Sequence, residues 1–197
     1  MSLLTAAITL FLILDPLGNL PIVMAVLRGL PKARRLKVLA RELIFALIIM
    51  LAFLFAGQAA LNALGLQPEA ISIAGGVILF LIALKMIFPP PGGILNLKEG
   101  EEPLIVPLAT PMIAGPSVLA ILLLMSNQSP ELMGRWVLAV LIAWAGTASI
   151  LMFAPKIEQW LGSRVIQALE RLMGMILVIL AVQMLLDGLA MYLGVSK

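Results

Sequence analysis

The chain contains no cysteine and no histidine, and only 12% of its 197 residues are charged. The absence of cysteine excludes a disulfide framework and a thiolate metal site. The absence of histidine removes the commonest metal ligand and the usual general base. Phosphate-binding and dinucleotide-binding glycine motifs are also missing. Because most enzyme chemistries lose the residues that they ordinarily use, we expect neither a catalytic site nor a bound cofactor.

Apolar residues dominate the composition of the chain. They make up 62% of the chain, against about 45–50% in soluble domains, and the mean hydropathy is +1.15. The net charge of +3 could indicate a nucleic-acid partner, but the basic residues flank long apolar runs. Membrane topology explains that placement, so the expected partner is a lipid bilayer and not nucleic acid. The composition predicts an all-α membrane protein.

Six apolar stretches are long enough to cross a membrane, since about 30 Å of hydrocarbon takes roughly 20 helical residues. We place the predicted spans at residues 3–27, 43–64, 70–88, 104–126, 136–154 and 172–193. The basic residues collect in the connections at 28–41, 89–103 and 155–171, with six of them in the first. By the positive-inside rule these connections are cytoplasmic, so both termini are expected to be periplasmic.

Two proline motifs indicate an internal repeat. The first span carries Asp15-Pro-Leu-Gly-Asn-Leu-Pro21, and the fourth carries Thr110-Pro-Met-Ile-Ala-Gly-Pro116. Each motif consists of a capping residue, a proline, four residues and a second proline. The two motifs are 95 residues apart, and both lie inside an apolar span. The chain is therefore predicted to contain two related halves.

A second match supports this division. Gly76 aligns with Gly174 at an offset of 98 residues, and in that register Lys85 falls on Gln183. We predict two three-helix repeats and a cytoplasmic linker between them, at residues 1–90, 91–103 and 104–197. Because each half holds three spans, an odd number, the second half enters the membrane from the opposite side. Inverted repeats of this kind are typical of secondary transporters.

The prolines predict that the first and fourth helices are broken inside the membrane. A proline in a helix interior removes a hydrogen-bond donor and costs about 3 kcal/mol or more. Asp15-Pro16 and Thr110-Pro111 are also helix-start signatures, with an oxygen-bearing cap before a proline. Broken backbone in a bilayer must be buried in protein or line an aqueous cavity. The alternative is that the prolines only kink two helices.

Such a cavity suits a small zwitterion, for example a neutral amino acid. The N–H groups and the dipole of a restarted helix attract a carboxylate, and unwound carbonyls suit an ammonium group or a cation. The residues that we predict for this substrate-binding site are Asp15, Pro16, Gly18, Asn19, Pro21, Thr110, Pro111, Gly115, Pro116, Ser117, Lys85 and Gln183. Gly18 and Gly115 would allow the backbone to approach the substrate closely.

Three of these residues have more than one interpretation. An ionised carboxylate at the centre of a span costs about 2.5–3.5 kcal/mol, so Asp15 could cap its own helix, bind sodium or couple protonation to transport. Lys85 lies near the cytoplasmic end of its span and can either extend to the interface or contribute to the site. Gln183 lies near the middle of its span and can either bond to a neighbouring helix or face the substrate. The sequence leaves these alternatives open.

The two proline segments and the glycine-bearing third and sixth spans resemble the MarC family of bacterial inner-membrane proteins over nearly the whole chain. The resemblance implies six spans in the inner membrane and a grouping with small neutral amino acid transporters. The leading hypothesis is a secondary transporter that works by alternating access. A membrane enzyme, with Asp15 and Lys85 as its acid/base pair, and a non-transporting scaffold are the alternatives. The substrate, the transport direction, the coupling ion and homo-oligomer formation stay open.

Overall fold

The computed structural model describes residues 2–28, 30–89 and 102–194, so nearly all of the linker predicted at 91–103 lies outside the described residues. The α-helices in the described ranges are α1 Leu3–Leu14, α2 Pro16–Arg28, α3 Lys32–Leu64, α4 Pro68–Ile87, α5 Pro116–Gln128, α6 Met133–Met152 and α7 Ala154–Tyr192. A π-helical segment at Leu108–Ile113 precedes α5, and a single 3-10 turn at Pro130–Leu132 precedes α6.

The prediction of an all-α membrane protein is confirmed. Within the described residues, five helical stretches are long and apolar enough to cross a membrane, and a sixth apolar helix is shorter. The long stretches are Leu3–Arg28, Lys32–Leu64, Glu69–Ile87, Pro130–Met152 and Gln167–Tyr192, and the shorter one is Pro116–Asn127. The short helix lies in the fourth predicted span, where the sequence predicted a break.

The first predicted span is broken at Asp15. Helix α1 ends at Leu14, Asp15 adopts a left-handed conformation with φ of 40°, and α2 begins at Pro16. Aspartate tolerates this conformation better than most residues that have a side chain, and proline lacks the N–H that a continuous helix would need. Pro21, in contrast, lies inside α2. The first proline of the motif therefore ends one helix and starts the next.

The fourth predicted span restarts at the second proline of its motif. Thr110 is extended, with φ of −133° and ψ of 143°, as expected for a residue before proline, and Pro111 lies in the π-helical segment. Helix α5 begins at Pro116 and has 13 residues, so it covers only about 20 Å at 1.5 Å per residue. This length is shorter than the roughly 30 Å of hydrocarbon in a bilayer. The two halves thus break at different prolines.

The connections predicted at 28–41 and 155–171 are largely helical, so the polar residues between the spans extend the helices. Helix α3 begins at Lys32, and α7 extends through the whole of the second connection. Lys, Arg, Glu and Gln are good helix formers, so the charged residues beside an apolar span do not end the helix. With 33 and 39 residues, α3 and α7 are both longer than the roughly 20 residues that a bilayer requires.

Helices α4 and α7 form a closely packed antiparallel pair. A Cβ atom added at Gly76 would lie 3.0 Å from the carbonyl oxygen of Ala181, and one added at Gly174 would lie 3.2 Å from that of Ala83. Small residues therefore bring the two backbones into contact, as is common between membrane helices. This pair forms one wall of the molecule, against which α2 and the start of α5 pack.

The remaining contacts bring the two broken spans together. Helix α1 packs on α6, and α3 contacts α5, α6 and the π-helical segment. Helix α2 also contacts the π-helical segment, so the residues after the first break lie beside those of the second. Fully buried apolar side chains such as Leu14, Ile22 and Ile113 fill the space between these elements. The fold thus places both breaks near the α4–α7 pair.

Candidate functional site

A cavity of about 430 Å³ lies where the two breaks meet α4 and α7. Its volume is in the range of sites for small molecules. Residues from four separate parts of the chain form its walls: the first break at residues 13–19, residues 111–118, and one face each of α4 and α7. The predicted site residues that line it are Asp15, Gly18, Asn19, Pro111, Gly115, Pro116, Ser117 and Gln183.

Asp15 lies at the cavity with an exposed side chain that also caps α2. Its Oδ1 accepts a hydrogen bond of 3.0 Å from the backbone N–H of Gly18, the third residue of that helix. A Cβ atom at Gly18 would lie 2.0 Å from Oδ2 of Asp15, so the glycine makes room for the carboxylate. Because the cap uses one carboxylate oxygen, the sodium and proton alternatives for Asp15 stay open.

Asn19 connects the two breaks directly. Its side-chain amide donates to the carbonyl oxygen of Leu14 at 2.8 Å and to that of Met112 at 3.3 Å. The first carbonyl belongs to the last turn of α1, where no further helical N–H is available. The second belongs to the irregular segment before α5. One half-buried side chain therefore satisfies backbone from both broken spans and holds them together.

The start of α5 presents the positive end of a helix to the cavity. Gly115 occupies the cap position without a side-chain hydrogen bond, Pro116 is the first helical residue, and Ser117 and Val118 line the cavity wall. Uncapped N–H groups at such a position attract negative charge. A Cβ atom on Gly75 of α4 would lie 2.0 Å from Cγ of Pro116, so the glycine is needed for this approach.

Helix α7 contributes the polar pair Gln183 and Asp187 to the opposite wall. The Gln183 amide donates to Oδ1 of Asp187 at 2.7 Å, and their spacing of four residues places both on one helix face. Asp15 and Asp187 are the ionisable side chains among the described lining residues, and both are acidic. The described residues contain no cluster of three or more acidic side chains suited to a metal ion.

Four predicted site residues lie outside the lining of this cavity. Lys85 is exposed in the last turn of α4. Pro16 and Pro21 are buried in α2, and Thr110 is half-buried just before the cavity segment. Pro16 and Thr110 lie at the breaks, Pro21 lies within α2 and Lys85 lies at a helix end, and none of the four contributes to the cavity wall.

Sequence reasoning missed a larger apolar part of the wall. Asp187 and Gly75 were not predicted, nor was the face of α7 that carries Met173, Ile176, Leu177, Leu180 and Met184. These α7 residues follow the spacing of three and four that places side chains on one face with Gln183. That spacing was the available signal, but in a helix that is apolar all round it does not distinguish a cavity wall from a lipid-facing surface.

Comparisons with known proteins cover almost the whole chain. The family described as MarC family integral membrane protein matches residues 1–193. The inner membrane protein YhgN of Escherichia coli K12 is 53% identical, with 98% of each chain covered. A membrane protein of Buchnera aphidicola subsp. Baizongia pistaciae is 49% identical over 95% of this chain and 96% of its own. One from Methanocaldococcus jannaschii is 32% identical over 92% of each chain. No solved structure matches.

Proposed function

Because this chain belongs to the MarC family of integral membrane proteins, we propose that it is a secondary transporter that moves a small solute across the inner membrane. The proposed solute is a zwitterion of the size of a small neutral amino acid. One observation carries the proposal: the breaks of two membrane-spanning segments, linked by Asn19, border the same cavity of about 430 Å³. Interrupted helices that meet at a cavity are characteristic of transporter binding sites.

The charges around the cavity favour a zwitterion. The uncapped N-terminus of α5 suits the carboxylate of the solute, while Asp15 and Asp187 suit its ammonium group. The described lining contains no lysine or arginine, so a solute that carries only negative charge would face two carboxylates without a compensating cation. We therefore expect zwitterionic solutes to be preferred over anionic ones.

Alternating access between two inverted repeats is the proposed mechanism. The shift of 98 residues that carries Gly76 to Gly174 also carries Ala83 to Ala181. The close contact of Gly76 with Ala181 therefore corresponds to that of Gly174 with Ala83, as a two-fold axis between α4 and α7 would require. In the same way, α1 of the first half corresponds to the π-helical segment of the second, and α3 corresponds to α6. The contact of α1 with α6 therefore corresponds to the contact of the π-helical segment with α3. These correspondences support two related halves that can move against each other.

The proposed orientation places both termini in the periplasm. If α1 and α2 together form one crossing, and the irregular segment with α5 forms another, the chain crosses the membrane six times. An even number of crossings brings both termini to the same side. The basic residues at the start of α3 then mark the cytoplasmic side.

The two alternatives have less support. An enzyme based on Asp15 and Lys85 would need both at one site, whereas Asp15 lines the cavity and Lys85 lies exposed outside it. A scaffold would not need a solute-sized cavity at the level where two spans are broken, because interrupted backbone is costly to bury in a bilayer. We therefore propose transport rather than catalysis or a purely structural role.

Uptake by proteoliposomes tests the proposal. Purified protein would be reconstituted and supplied with labelled small neutral, cationic and acidic amino acids, with and without sodium or proton gradients. We expect saturable uptake of small neutral amino acids, competed by other zwitterions and not by acidic ones. Liposomes without protein are the control for leakage. Equal uptake with and without protein, for every solute and gradient, would exclude amino acid transport.

A further inference from the structure

Glu42 is a fully buried carboxylate outside the cavity. It lies in the third turn of α3, and 0% of its surface is exposed. Its Oε1 is 3.2 Å from the guanidinium of its neighbour Arg41, and Oε2 has no hydrogen-bond partner within the described residues. Burying a carboxylate in this way is costly unless it satisfies other groups. An explanation for its position must therefore lie in what surrounds it.

The groups around Glu42 belong to the irregular segment before α5. The backbone N–H groups of Ile105 and Ala109 face its carboxylate. Ile105 adopts a left-handed conformation with φ of 64°, which a β-branched residue rarely does. Backbone N–H groups in an irregular segment of a membrane protein need partners that the segment itself cannot supply. The carboxylate of Glu42 is the charged group that these N–H groups face, on a helix that packs against the π-helical segment.

Charged side chains near the start of α3 hold the same segment at its beginning. Arg41 contacts the carbonyl oxygen of Pro103 and lies 3.2 Å from Glu102, while Arg34 donates to Glu102 at 2.7 Å. Arg41 also pairs with the buried Glu42, so these contacts attach the start of the segment to α3. The chain then continues directly into Pro111, Met112 and Gly115, which line the cavity.

We propose that Glu42 is a positioning residue for the cavity. Its buried carboxylate pairs with Arg41, which contacts Pro103 and Glu102 at the start of the irregular segment. This pairing holds the segment so that Met112 meets Asn19 and Pro116 meets Gly75. Glu42 does not contact the solute. The inference rests on the proposed function only in that the cavity is taken as the solute site.

Labelling of one introduced cysteine tests the positioning role without any solute. The natural chain has no cysteine, so Ser117→Cys provides a unique thiol on an exposed cavity residue. Its reaction rate with a small water-soluble thiol reagent would be measured in purified protein, alone and combined with Glu42→Gln, Glu42→Ala or Glu131→Ala. Glu131 is exposed and serves as the matched control.

We expect Glu42→Ala to change the labelling rate several-fold, Glu42→Gln to change it less because its amide oxygen still accepts a hydrogen bond, and Glu131→Ala to leave it unchanged. If Glu42→Ala does not assemble, the comparison rests on the isosteric Glu42→Gln, which still loses the charge. A folded Glu42 variant that labels at the parent rate would overturn the proposal.

Transport kinetics provide the second measurement. If the wild-type protein takes up a solute, Glu42→Ala should raise its KM by roughly tenfold, as expected for loss of a hydrogen bond to a charged group that shapes the site. A fall in maximal rate alone, with KM unchanged, would contradict positioning of the cavity. If labelling shifts but the wild-type protein transports nothing, the proposed function fails and the positioning role stands.

Discussion

Asp15 carries two separate roles that one side chain can perform together. Its carboxylate caps α2 through the N–H of Gly18, and the same group places a negative charge at the cavity. The backbone at this position is left-handed, which asparagine tolerates and alanine does not. Substitutions can therefore remove the charge while keeping the cap, or remove both.

We expect Asp15→Asn to fold and to lose coupled transport. The asparagine oxygen can still accept from Gly18, and losing an intramembrane charge favours insertion. Accumulation against a gradient should fail, whereas exchange at equal concentrations survives because it needs no coupling. Both would be measured in proteoliposomes. Normal accumulation by a well-folded Asp15→Asn protein would leave Asp15 as a capping residue only.

Asp15→Ala is the matched comparison because it removes cap and charge together. Because the cap is lost, its free energy of unfolding should be about 1 kcal/mol lower than that of Asp15→Asn. Placing alanine in the left-handed region adds a cost of about 1–2 kcal/mol. Thermal unfolding in detergent would measure the difference.

Gly75 determines how closely α5 approaches α4. An added Cβ would lie 2.0 Å from Cγ and 3.0 Å from Cδ of Pro116, and a proline ring cannot rotate away. We expect Gly75→Ala to cost about 1–3 kcal/mol of stability through overpacking and to weaken solute binding by displacing the start of α5. Binding and unfolding would be measured on the same preparation.

Gly134→Ala is the control for that change. Nothing lies within 4 Å of a Cβ at Gly134 in α6, so the helix should gain slightly from the replacement. If the Gly75→Ala and Gly134→Ala proteins bind the solute equally tightly, the close approach of α5 to α4 does not contribute to solute binding.

At the scale of elements, irregular backbone depends on the regular helices beside it. The π-helical segment contacts α3, and the chain that leads into it is attached to α3 at Glu102 and Pro103 by Arg34 and Arg41. Arg41 in turn pairs with the buried Glu42. The α3 helix can present these side chains because it begins at Lys32, well before its apolar part. The helical start of α3, in a stretch predicted only as a connection between spans, is therefore what supports the irregular segment.

The Glu102 contacts give this attachment a pH dependence. The hydrogen bond from Arg34 holds the pKa of Glu102 below its ordinary value of 4.5. A group with a depressed pKa in the folded protein stabilises it above the unfolded pKa, and this contribution disappears as the pH falls through the folded value. We expect Glu102→Gln to lower the unfolding temperature near neutral pH and the difference to vanish in strong acid.

Unfolding temperatures of wild type, Glu102→Gln and Glu131→Gln across that pH range would check this expectation. The Glu131 variant controls for loss of an exposed carboxylate elsewhere. If the unfolding temperature of Glu102→Gln differs from that of wild type by the same amount near neutral pH and in strong acid, the ion pair does not cause the difference.

At the scale of the whole molecule, the placement of the basic residues predicts the orientation, and an even number of crossings predicts that the two termini share a side. We expect a reporter fused after Lys197 to be active if it functions in the periplasm and inactive if it requires the cytoplasm. The same pair of reporters fused in the connection between α2 and α3 should give the reverse result. Cytoplasmic activity at the C-terminus with periplasmic activity between α2 and α3 would refute the orientation. Cytoplasmic activity at both positions would refute the even number of crossings.

The sequence by itself determined the features that depend on local chemistry. The apolar runs predicted the helical membrane fold, because only chains that satisfy their backbone internally can cross a bilayer. Asp15-Pro16 predicted the first break to the residue, since cap and proline act on adjacent backbone. The second motif predicted a break but not its position, because Thr110 does not cap a helix there and the restart occurs at Pro116.

Only the tertiary structure decided which residues surround the cavity. Asn19 hydrogen-bonds to Met112, which is 93 residues away in the sequence, and Gly75 makes room for Pro116. No local sequence pattern predicts these contacts. Helices α3 and α7 continue through charged stretches because helix propensity does not depend on hydropathy. The apolar face of α7 that lines the cavity looks in sequence like any lipid-facing surface. Its role comes from the breaks that the fold places opposite it.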